Sequence, residues 1–239
     1  MHKFKSLIKL YLPIYFINNL RYFQSFLLNN LIAEKRKIKN YHKRIPRKII
    51  EHMEFDFAMS RLNENKEIKI LDIGAHHGEF SELCGTFNRF HNWKIFCVEP
   101  LKQNIKHIKK KKYTNVSQSI IPIGISDISN IKTFTLGTAD SLFTCEPEWK
   151  DKFPDHFKEA KKIDIQCLSI SDMASKYLSS EETIFDFVKI DVEGHDLNVI
   201  TSFCNSKLNS YFLMFEITED IKNLEKSISL LKEKGLNEF

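Results

Sequence analysis

The stretch that decides the fold is Ile68-Lys69-Ile70-Leu71-Asp72-Ile73-Gly74-Ala75-His76-His77-Gly78-Glu79-Phe80. Its first half is a short apolar run of the kind that forms a buried β-strand, and sequence compatible with a helix follows Gly78 at once. A strand, a glycine-rich turn and a helix in this order build a site at the carboxyl edge of a parallel sheet. That edge is where α/β folds bind their cofactors.

Strand-like and helix-like segments alternate in the rest of the chain. We predict strands at 68–73, 94–98, 116–125 with an interruption at Pro122, 185–192 and 211–217. Helices are predicted at 78–89, 101–112, 171–178, 194–203 and 221–234, with Ser171 as the N-cap of the third. Short β segments at 133–136 and 163–168 flank a polar, aromatic insertion at 140–162. The alternation predicts an α/β fold with a mostly parallel sheet and helices on both faces.

The first fifty residues differ from the remainder in charge. They hold twelve Lys or Arg against one acid, Glu34, so residues 1–50 carry +11 and the rest carries −6 of the total +5. Polar residues interrupt the apolar segment 1–32, which therefore lacks the ~20 apolar residues of a spanning helix. We divide the chain into a basic helical extension and linker, 1–48, and a domain, 49–239. The extension either lies in a membrane interface, or packs on the domain or on a second copy of the chain.

The spacing of the glycines distinguishes between nucleotide-binding motifs. A dinucleotide fingerprint beginning at Gly74 would need glycines where the chain has His76 and Glu79, and a P-loop would need a Lys after Gly78. Both fail. The remaining pattern is Asp-x-Gly-x-x-x-Gly with an acid, Glu99, at the end of the next strand. This pattern is compatible with S-adenosylmethionine as the cofactor.

Each residue of this pattern can be given a role toward that cofactor. Gly74 would let the backbone approach the amino-acid part of the ligand. Gly78 opens a helix whose free N–H groups favour a carboxylate. Asp72 would accept a hydrogen bond from the ammonium group, and Glu99 would accept from the ribose hydroxyls.

Four motifs carry a resemblance to a known family. They are Asp72–Gly78, Val98-Glu99-Pro100, Gly124-Ile125-Ser126-Asp127 and Lys189–Asp196. In this order they resemble the FkbM-type methyltransferases over about residues 65–217. The resemblance implies a Rossmann-like class I methyltransferase fold, S-adenosylmethionine as methyl donor, and transfer to oxygen on a sugar or polyketide-type product. The cofactor-binding positions that the motifs and the resemblance give are Asp72, Gly74, Ala75, Gly78, Glu99, Ser126 and Asp127, the last two near the adenine.

The chain departs from the family pattern in three places. His76 stands where the family usually has Asn, and Asp196 replaces a more usual Glu. The sequence also ends at Phe239, where the last β-hairpin of a class I methyltransferase should begin. We therefore expect either a fragment or a sheet of five main strands, with 211–217 as an edge.

Three candidate catalytic residues follow the 185–192 strand. A sugar hydroxyl is a poor nucleophile, so a base that removes its proton assists methyl transfer. We predict Asp191 or His195 as this base, with Glu193 orienting the base or the substrate. Two other interpretations remain open. Either Glu193-Gly194 caps the next helix and His195 is an exposed residue of its first turn, or carboxylates here together with Glu216 hold a divalent metal. We assign no metal.

These patterns predict a cytoplasmic S-adenosylmethionine-dependent O-methyltransferase. Its acceptor would be a sugar hydroxyl of a glycan, glycolipid or related small molecule, reached at the inner face of a membrane, and the insertion 140–162 would be either a lid or a surface excursion. A methyltransferase acting on RNA or protein is a second possibility. It would carry an N/D-P-P-Y/F tetrad where this chain has Asp191-Val192-Glu193-Gly194, so no nucleic acid partner is expected. A non-catalytic cofactor-binding module is the third.

Overall fold

The computed structural model describes residues 67–87, 91–138, 143–147, 151, 154–158, 160–216 and 221–236. The predicted extension 1–48, with its membrane or subunit contacts, lies outside the described residues, as does part of the insertion 140–162. Within the described ranges, no helix is long and apolar enough to cross a membrane.

The first half of the domain alternates between strand and helix as predicted for its first four elements, and then has four strands in succession. Its elements are β1 (Glu67–Ile73), α1 (Glu79–Phe87), β2 (Asn92–Val98), α2 (Lys102–Lys110), β3 (Val116–Ile121), β4 (Gly124–Ile125), β5 (Asn130–Leu136) and β6 (Phe143–Thr144). After a single 3-10 turn at Pro154–His156 come β7 (Lys161–Leu168), α3 (Ile170–Tyr177), β8 (Ile184–Ile190), α4 (Asp196–Cys204), β9 (Asn209–Phe215) and α5 (Ile221–Glu233). The chain therefore has the predicted α/β architecture.

The main sheet has five parallel strands in the order β3-β2-β1-β8-β9. Both faces of β1 and β2 are buried, which explains why these strands are nearly continuous apolar runs. The strand order reverses between β1 and β8, because the chain adds β2 and β3 on one side of β1 and β8 and β9 on the other. The crevice of this doubly wound sheet therefore lies beside the glycine turn. Among the described residues β9 is an edge strand, which agrees with the expectation of five main strands.

Helices cover both faces of this sheet. One face packs Leu71, Ile73 and Phe96 against α3, α4 and α5 through a core that includes Met173, Phe203 and Leu231. On the other face α1 contributes Phe80, whose ring stacks on Phe187 of β8 at 5.5 Å. The glycine turn that leads into α1 is thus held between a buried strand and a buried helix.

A second, four-stranded sheet was not predicted as such. Its order is β4-β7-β5-β6, and β5 pairs with β7 in an antiparallel register. The predicted segments 133–136 and 163–168 are the centre of this sheet, and Phe134 stacks on Phe143 at 4.5 Å. The sheet therefore supports the ends of the aromatic insertion beside the main sheet.

The predicted N-cap of α3 is wrong by two residues. Ser169, not Ser171, has the extended backbone of a cap, and its hydroxyl accepts a hydrogen bond from the N–H of Asp172. Ser171 is exposed within the first turn, and its carbonyl accepts from the hydroxyl of Ser175. Because both serines have a suitable acceptor oxygen, the sequence alone did not separate them.

Candidate functional site

The carboxyl ends of three neighbouring strands meet around Gly74. The N–H groups of Gly74 and Ala75 donate to the carbonyl of Val98, at 3.0 and 3.1 Å, and the N–H of Asp191 donates to the carbonyl of Ile73 at 3.0 Å. These bonds extend the sheet past the formal ends of β1, β2 and β8. They place Asp72, Glu99 and Asp191 along one edge of the sheet.

Gly74 is required by the packing of the protein itself. Its φ is +81°, a left-handed conformation, and a Cβ at this position would lie 1.9 Å from the carbonyl oxygen of Asp191. No side chain fits at that distance, whether or not a ligand is bound. The fold itself therefore requires glycine at position 74, independently of the close approach to a cofactor that we predicted there.

Glu99 lies where the sequence places it, one residue beyond β2. It is buried, and its carboxylate accepts hydrogen bonds from the N–H groups of Leu101 (2.8 Å) and His76 (2.9 Å) and from the side-chain amide of Asn104 (3.3 Å). Burial raises the pKa of Glu99 to about 7, against the lowering effect of these donors. Since Oε2 accepts from one donor among the described residues, it retains a lone pair for a hydroxyl group.

Asp72 belongs to a row of alternating charges. It is the register partner of Lys189 on β8, so the two side chains share one face of the sheet, and Lys189 Nζ lies 3.5 Å from Asp72 Oδ1. The same ammonium group is 3.2 Å from Asp191 Oδ2. Burial opposes the charge of Lys189, but the two carboxylates hold its pKa above the usual range. Lys189 is thus an ion-pair partner of both carboxylates.

His76 occupies a left-handed position in the turn, with φ +46°. Asn tolerates this conformation better than most residues, which is a physical reason for an Asn in the family pattern. The ring of His76 stacks on His77 at 3.9 Å, and His77 stacks on His107 of α2 at 4.3 Å. Burial would raise the pKa of Glu79, but the nearby His76 and the backbone N–H groups lower it to about 2.

Glu193 and Asp196 occupy the turn between β8 and α4. Glu193 has a positive φ of 54°. Burial raises its pKa to about 8, and Asp191, Glu216 and Asp196 add to the effect. The carboxylate of Asp196 accepts from the N–H groups of Val192 and Gly194, at 3.3 and 3.2 Å. The N-cap position of α4 belongs to His195, whose side chain makes no capping hydrogen bond, and His195 is buried rather than exposed in the first turn.

His195 is buried, with 2% of its surface exposed. Its Nε2 lies 3.0 Å from the hydroxyl oxygen of Ser126, and its Nδ1 lies 2.5 Å from Oε1 of Glu146. The hydroxyl of Ser126 also donates to Asp127 at 2.7 Å, and this bond lowers the pKa of the Asp127 carboxyl. Asp127 itself is exposed.

The structure brings together most of the predicted site residues. The predicted residues at the ends of β1, β2 and β8 share one edge, and Ser126 contacts His195. Sequence reasoning missed Glu146 and Asn104. No motif marks Glu146, which lies 49 residues before its partner His195. Asn104 could have been found from its place on the first turns of α2 directly after Glu99.

Two groups within the described residues bring metal-ligating atoms within 4.8 Å of one another. One consists of His76, His77 and Glu79, and the other of Cys145, Glu146 and His195. Neither includes Asp191, Glu193 or Glu216, the carboxylates for which a divalent metal was considered.

The described residues fit S-adenosylmethionine in two respects. Asp72 is fully buried, and apart from the ion pair with Lys189 at 3.5 Å its carboxylate oxygens have no hydrogen-bond partner within the described part of the chain. An ammonium group beside the glycine turn would supply such a donor. Glu99 has acceptor capacity left for a ribose hydroxyl, as the position after β2 requires.

The open parallel sheet, the glycine turn and the acid after β2 define an α/β protein of the Rossmann type. More narrowly, the chain belongs to the family described as Methyltransferase FkbM domain, which it matches over residues 72–235. No curated protein matches the chain.

Two solved methyltransferase structures are similar to the chain. One is the methyltransferase FkbM from Methylobacillus flagellatus KT, with 16% identity, a TM-score of 0.36, and coverage of 61% of this chain and 31% of that chain. The chain thus spans about a third of that structure's length. The other is the precorrin-6y C5,15-methyltransferase from Geobacter metallireducens GS-15, with 19% identity, a TM-score of 0.36, and coverage of 75% of this chain and 68% of that chain.

Proposed function

We propose that this protein is an S-adenosylmethionine-dependent O-methyltransferase whose acceptor is a sugar hydroxyl of a glycan, a glycolipid or a related small molecule. The observation that carries the proposal is the placement of three carboxylates, Asp72, Glu99 and Asp191, around one glycine turn in a chain of the FkbM family. S-adenosylmethionine, when bound, would supply an electrophilic methyl group.

The cofactor would be held by residues of β1, β2 and the turns that follow them. Asp72 accepts from an ammonium group and Glu99 from a ribose hydroxyl. Ala75 and Gly78 belong to the glycine turn that follows β1, in which the N–H of Gly78 donates to the carbonyl of Ala75 at 2.7 Å. Ser126 and Asp127 follow β4 of the second sheet and are assigned to the adenine side.

Among the three predicted catalytic residues, Asp191 is our choice for the base. Its side chain is 42% exposed at the edge of the sheet, whereas both ring nitrogens of His195 already have partners. Asp191 would accept the proton of the acceptor hydroxyl as the oxygen attacks. Because the pKa of Glu193 is about 8, this residue holds a proton near neutral pH and can donate a hydrogen bond that orients the acceptor.

The basic extension suggests the cellular location at which the protein binds its acceptor. Residues 1–50 carry +11 in a sequence rich in apolar residues, which favours association with an anionic membrane surface. We place the protein in the cytoplasm, at the inner face of the membrane, with a homodimer as the alternative use of the extension. No nucleic acid partner is proposed.

The test is a comparison of cell-surface glycans from strains with and without the gene. Mass spectrometry should show one methyl group missing from a single sugar in the deletion strain, and the wild-type gene should restore it. A matched strain carrying the Asp191→Asn variant should fail to restore it. Identical methylation in all strains would contradict the acceptor class, and restoration by Asp191→Asn would contradict the assignment of the base.

A further inference from the structure

Three parts of the fold that are far apart in sequence meet at one buried imidazole. Ser126 follows β4, His195 immediately precedes α4, and Glu146 lies in the turn after β6. The distances are 3.0 Å from Ser126 Oγ to His195 Nε2 and 2.5 Å from His195 Nδ1 to Glu146 Oε1. We refer to these three residues as the 126–195–146 chain.

The direction of the hydrogen bonds follows from what each group can donate. A carboxylate accepts only, so the Nδ1–H of His195 donates to Glu146, a bond that lowers the pKa of Glu146. Ser126 has a single hydroxyl proton, which donates to Asp127. Ser126 Oγ lies 3.0 Å from Nε2 of His195, and the side-chain amide of Asn198 lies 2.9 Å from Nδ1. Both ring nitrogens therefore already have partners within the protein.

Each end of the chain is fixed to its own element. The N–H of Ser126 donates to the carbonyl of Leu168 on β7 at 3.0 Å. The N–H of Glu146 donates to the hydroxyl of Thr144 on β6 at 3.0 Å. Because Leu168 is on β7 and Thr144 is on β6, with β5 between these strands, the imidazole links the turn at 143–147 to the loop that contains Ser126 and Asp127.

The turn at 143–147 has no other role in the proposed site, whereas Ser126 and Asp127 are assigned to the cofactor. A displacement of Glu146 would release His195 and, through it, the hydroxyl that holds Asp127. Hydrogen bonds in such a network are coupled, so the loss of one member weakens the others.

We propose that the 126–195–146 chain positions the cofactor-binding loop, so that Glu146 and His195 are positioning residues and the turn at 143–147 controls cofactor affinity. The cofactor part of this inference rests on the proposed function. The linkage between the turn and the loop does not.

The linkage is tested by hydrogen–deuterium exchange of the full chain without ligand. Glu146→Ala should increase exchange at 124–129, and Ser126→Ala should increase exchange at 143–147. Glu181→Ala, which removes an exposed glutamate outside this cluster, is the matched control and should change neither segment. Unchanged exchange at 124–129 in Glu146→Ala would overturn the linkage.

The cofactor part is tested by calorimetric binding of S-adenosylhomocysteine. Loss of one such hydrogen bond predicts that Ser126→Ala and Glu146→Ala each weaken binding by roughly three- to tenfold. The double variant should lose less than the sum of the two single losses, because Glu146 acts through His195 on Ser126. Glu146→Gln retains an acceptor oxygen and should restore most of the affinity.

Each contrary outcome has a distinct meaning. Three results would overturn the positioning role. The affinities could stay unchanged while exchange increases, or the affinity losses of the two single variants could be additive. Glu146→Gln and Glu146→Ala could also lose affinity equally. Absence of binding to the wild type would overturn the proposed function and the cofactor part, while exchange still decides the linkage. A metal site is tested by adding zinc ions. If zinc stabilises the wild type but not Cys145→Ser, then Cys145, Glu146 and His195 ligate a metal instead, and the inference is overturned.

Discussion

The substitution Gly74→Ala isolates the contact on which the cofactor turn depends. Gly74 and Gly78 have nearly the same backbone conformation, with φ of +81° and +79°. They differ in clearance: a Cβ at Gly74 would lie 1.9 Å from the carbonyl oxygen of Asp191, and one at Gly78 would lie 3.4 Å from a side-chain carbon of Ile108. Gly78→Ala is therefore a matched control that has the conformational cost without the severe overlap.

The two costs can be estimated separately. An alanine in the left-handed region costs about 1–2 kcal/mol. Forcing an extra group into a packed site adds about 1–3 kcal/mol, so Gly74→Ala should lose about 2–5 kcal/mol and Gly78→Ala only about 1–2 kcal/mol. The gain from a less flexible unfolded chain is the same for both variants and cancels in the comparison.

Urea unfolding of the two variants and the wild type measures these losses directly. We expect equal slopes and a lower midpoint for Gly74→Ala than for Gly78→Ala. For a domain of this size, each 1 kcal/mol corresponds to about 2–4 °C in Tm, so thermal unfolding gives a second readout. Equal destabilisation by the two variants, within about 0.5 kcal/mol, would refute the claim that the Asp191 carbonyl excludes a side chain at Gly74.

Three further predictions concern the charges beside this turn. Lys189→Met leaves Asp72 buried without its cation and should cost about 3–5 kcal/mol, whereas Lys111→Met, which breaks a surface pair, should cost at most about 1 kcal/mol in the same unfolding assay. The pKa of Glu193 is raised from 4.5 to about 8, so the folded state holds a proton that the unfolded state loses as pH rises through this window, and stability falls. Glu193→Gln removes that loss, and its Tm relative to wild type should increase from below pH 4.5 to above pH 8. Asp191→Asn should lower kcat by about 10²–10⁴ without weakening S-adenosylhomocysteine binding.

The outcomes that would contradict these predictions are equally specific. A loss for Lys189→Met no larger than that for Lys111→Met would show that Asp72 does not depend on its ion pair. A constant Tm difference for Glu193→Gln across the pH range, matching an exposed control such as Glu181→Gln, would remove the pH argument. Normal turnover in Asp191→Asn would exclude it as the base.

The strands and the turn could be predicted from the sequence because their signals are local. The run at 68–73 has the length and apolarity of a buried strand, and the structure places β1 at Glu67–Ile73. Glycines at 74 and 78 both have positive φ. Order in the chain, together with the handedness of parallel crossovers, then brings the ends of β1, β2 and β8 to one edge.

The parts that the sequence did not predict depend on contacts between distant residues. β4 and β6 have two residues each, too short for a periodic pattern, so the second sheet could not be assembled from sequence. The burial of His195 between Ser126 and Glu146 depends on that sheet. His195 was therefore predicted as a base on the basis of its position after β8, although its ring faces inward. The pairing of Lys189 with Asp72 depends on strand register, which periodicity does not give.

The central claim is that the turn beginning at Gly74 binds S-adenosylmethionine, and a thermal-shift comparison of S-adenosylhomocysteine with NAD tests it most directly. A ligand at a hundredfold its Kd should stabilise the wild type by about 2.7 kcal/mol, and NAD should have no effect. Asp72→Asn and Glu99→Gln, each shown to be folded by circular dichroism, should lose most of this stabilisation. The claim would be contradicted if S-adenosylhomocysteine did not raise the Tm of the wild type, or if NAD did. A full increase in Tm with S-adenosylhomocysteine in both variants would also contradict it.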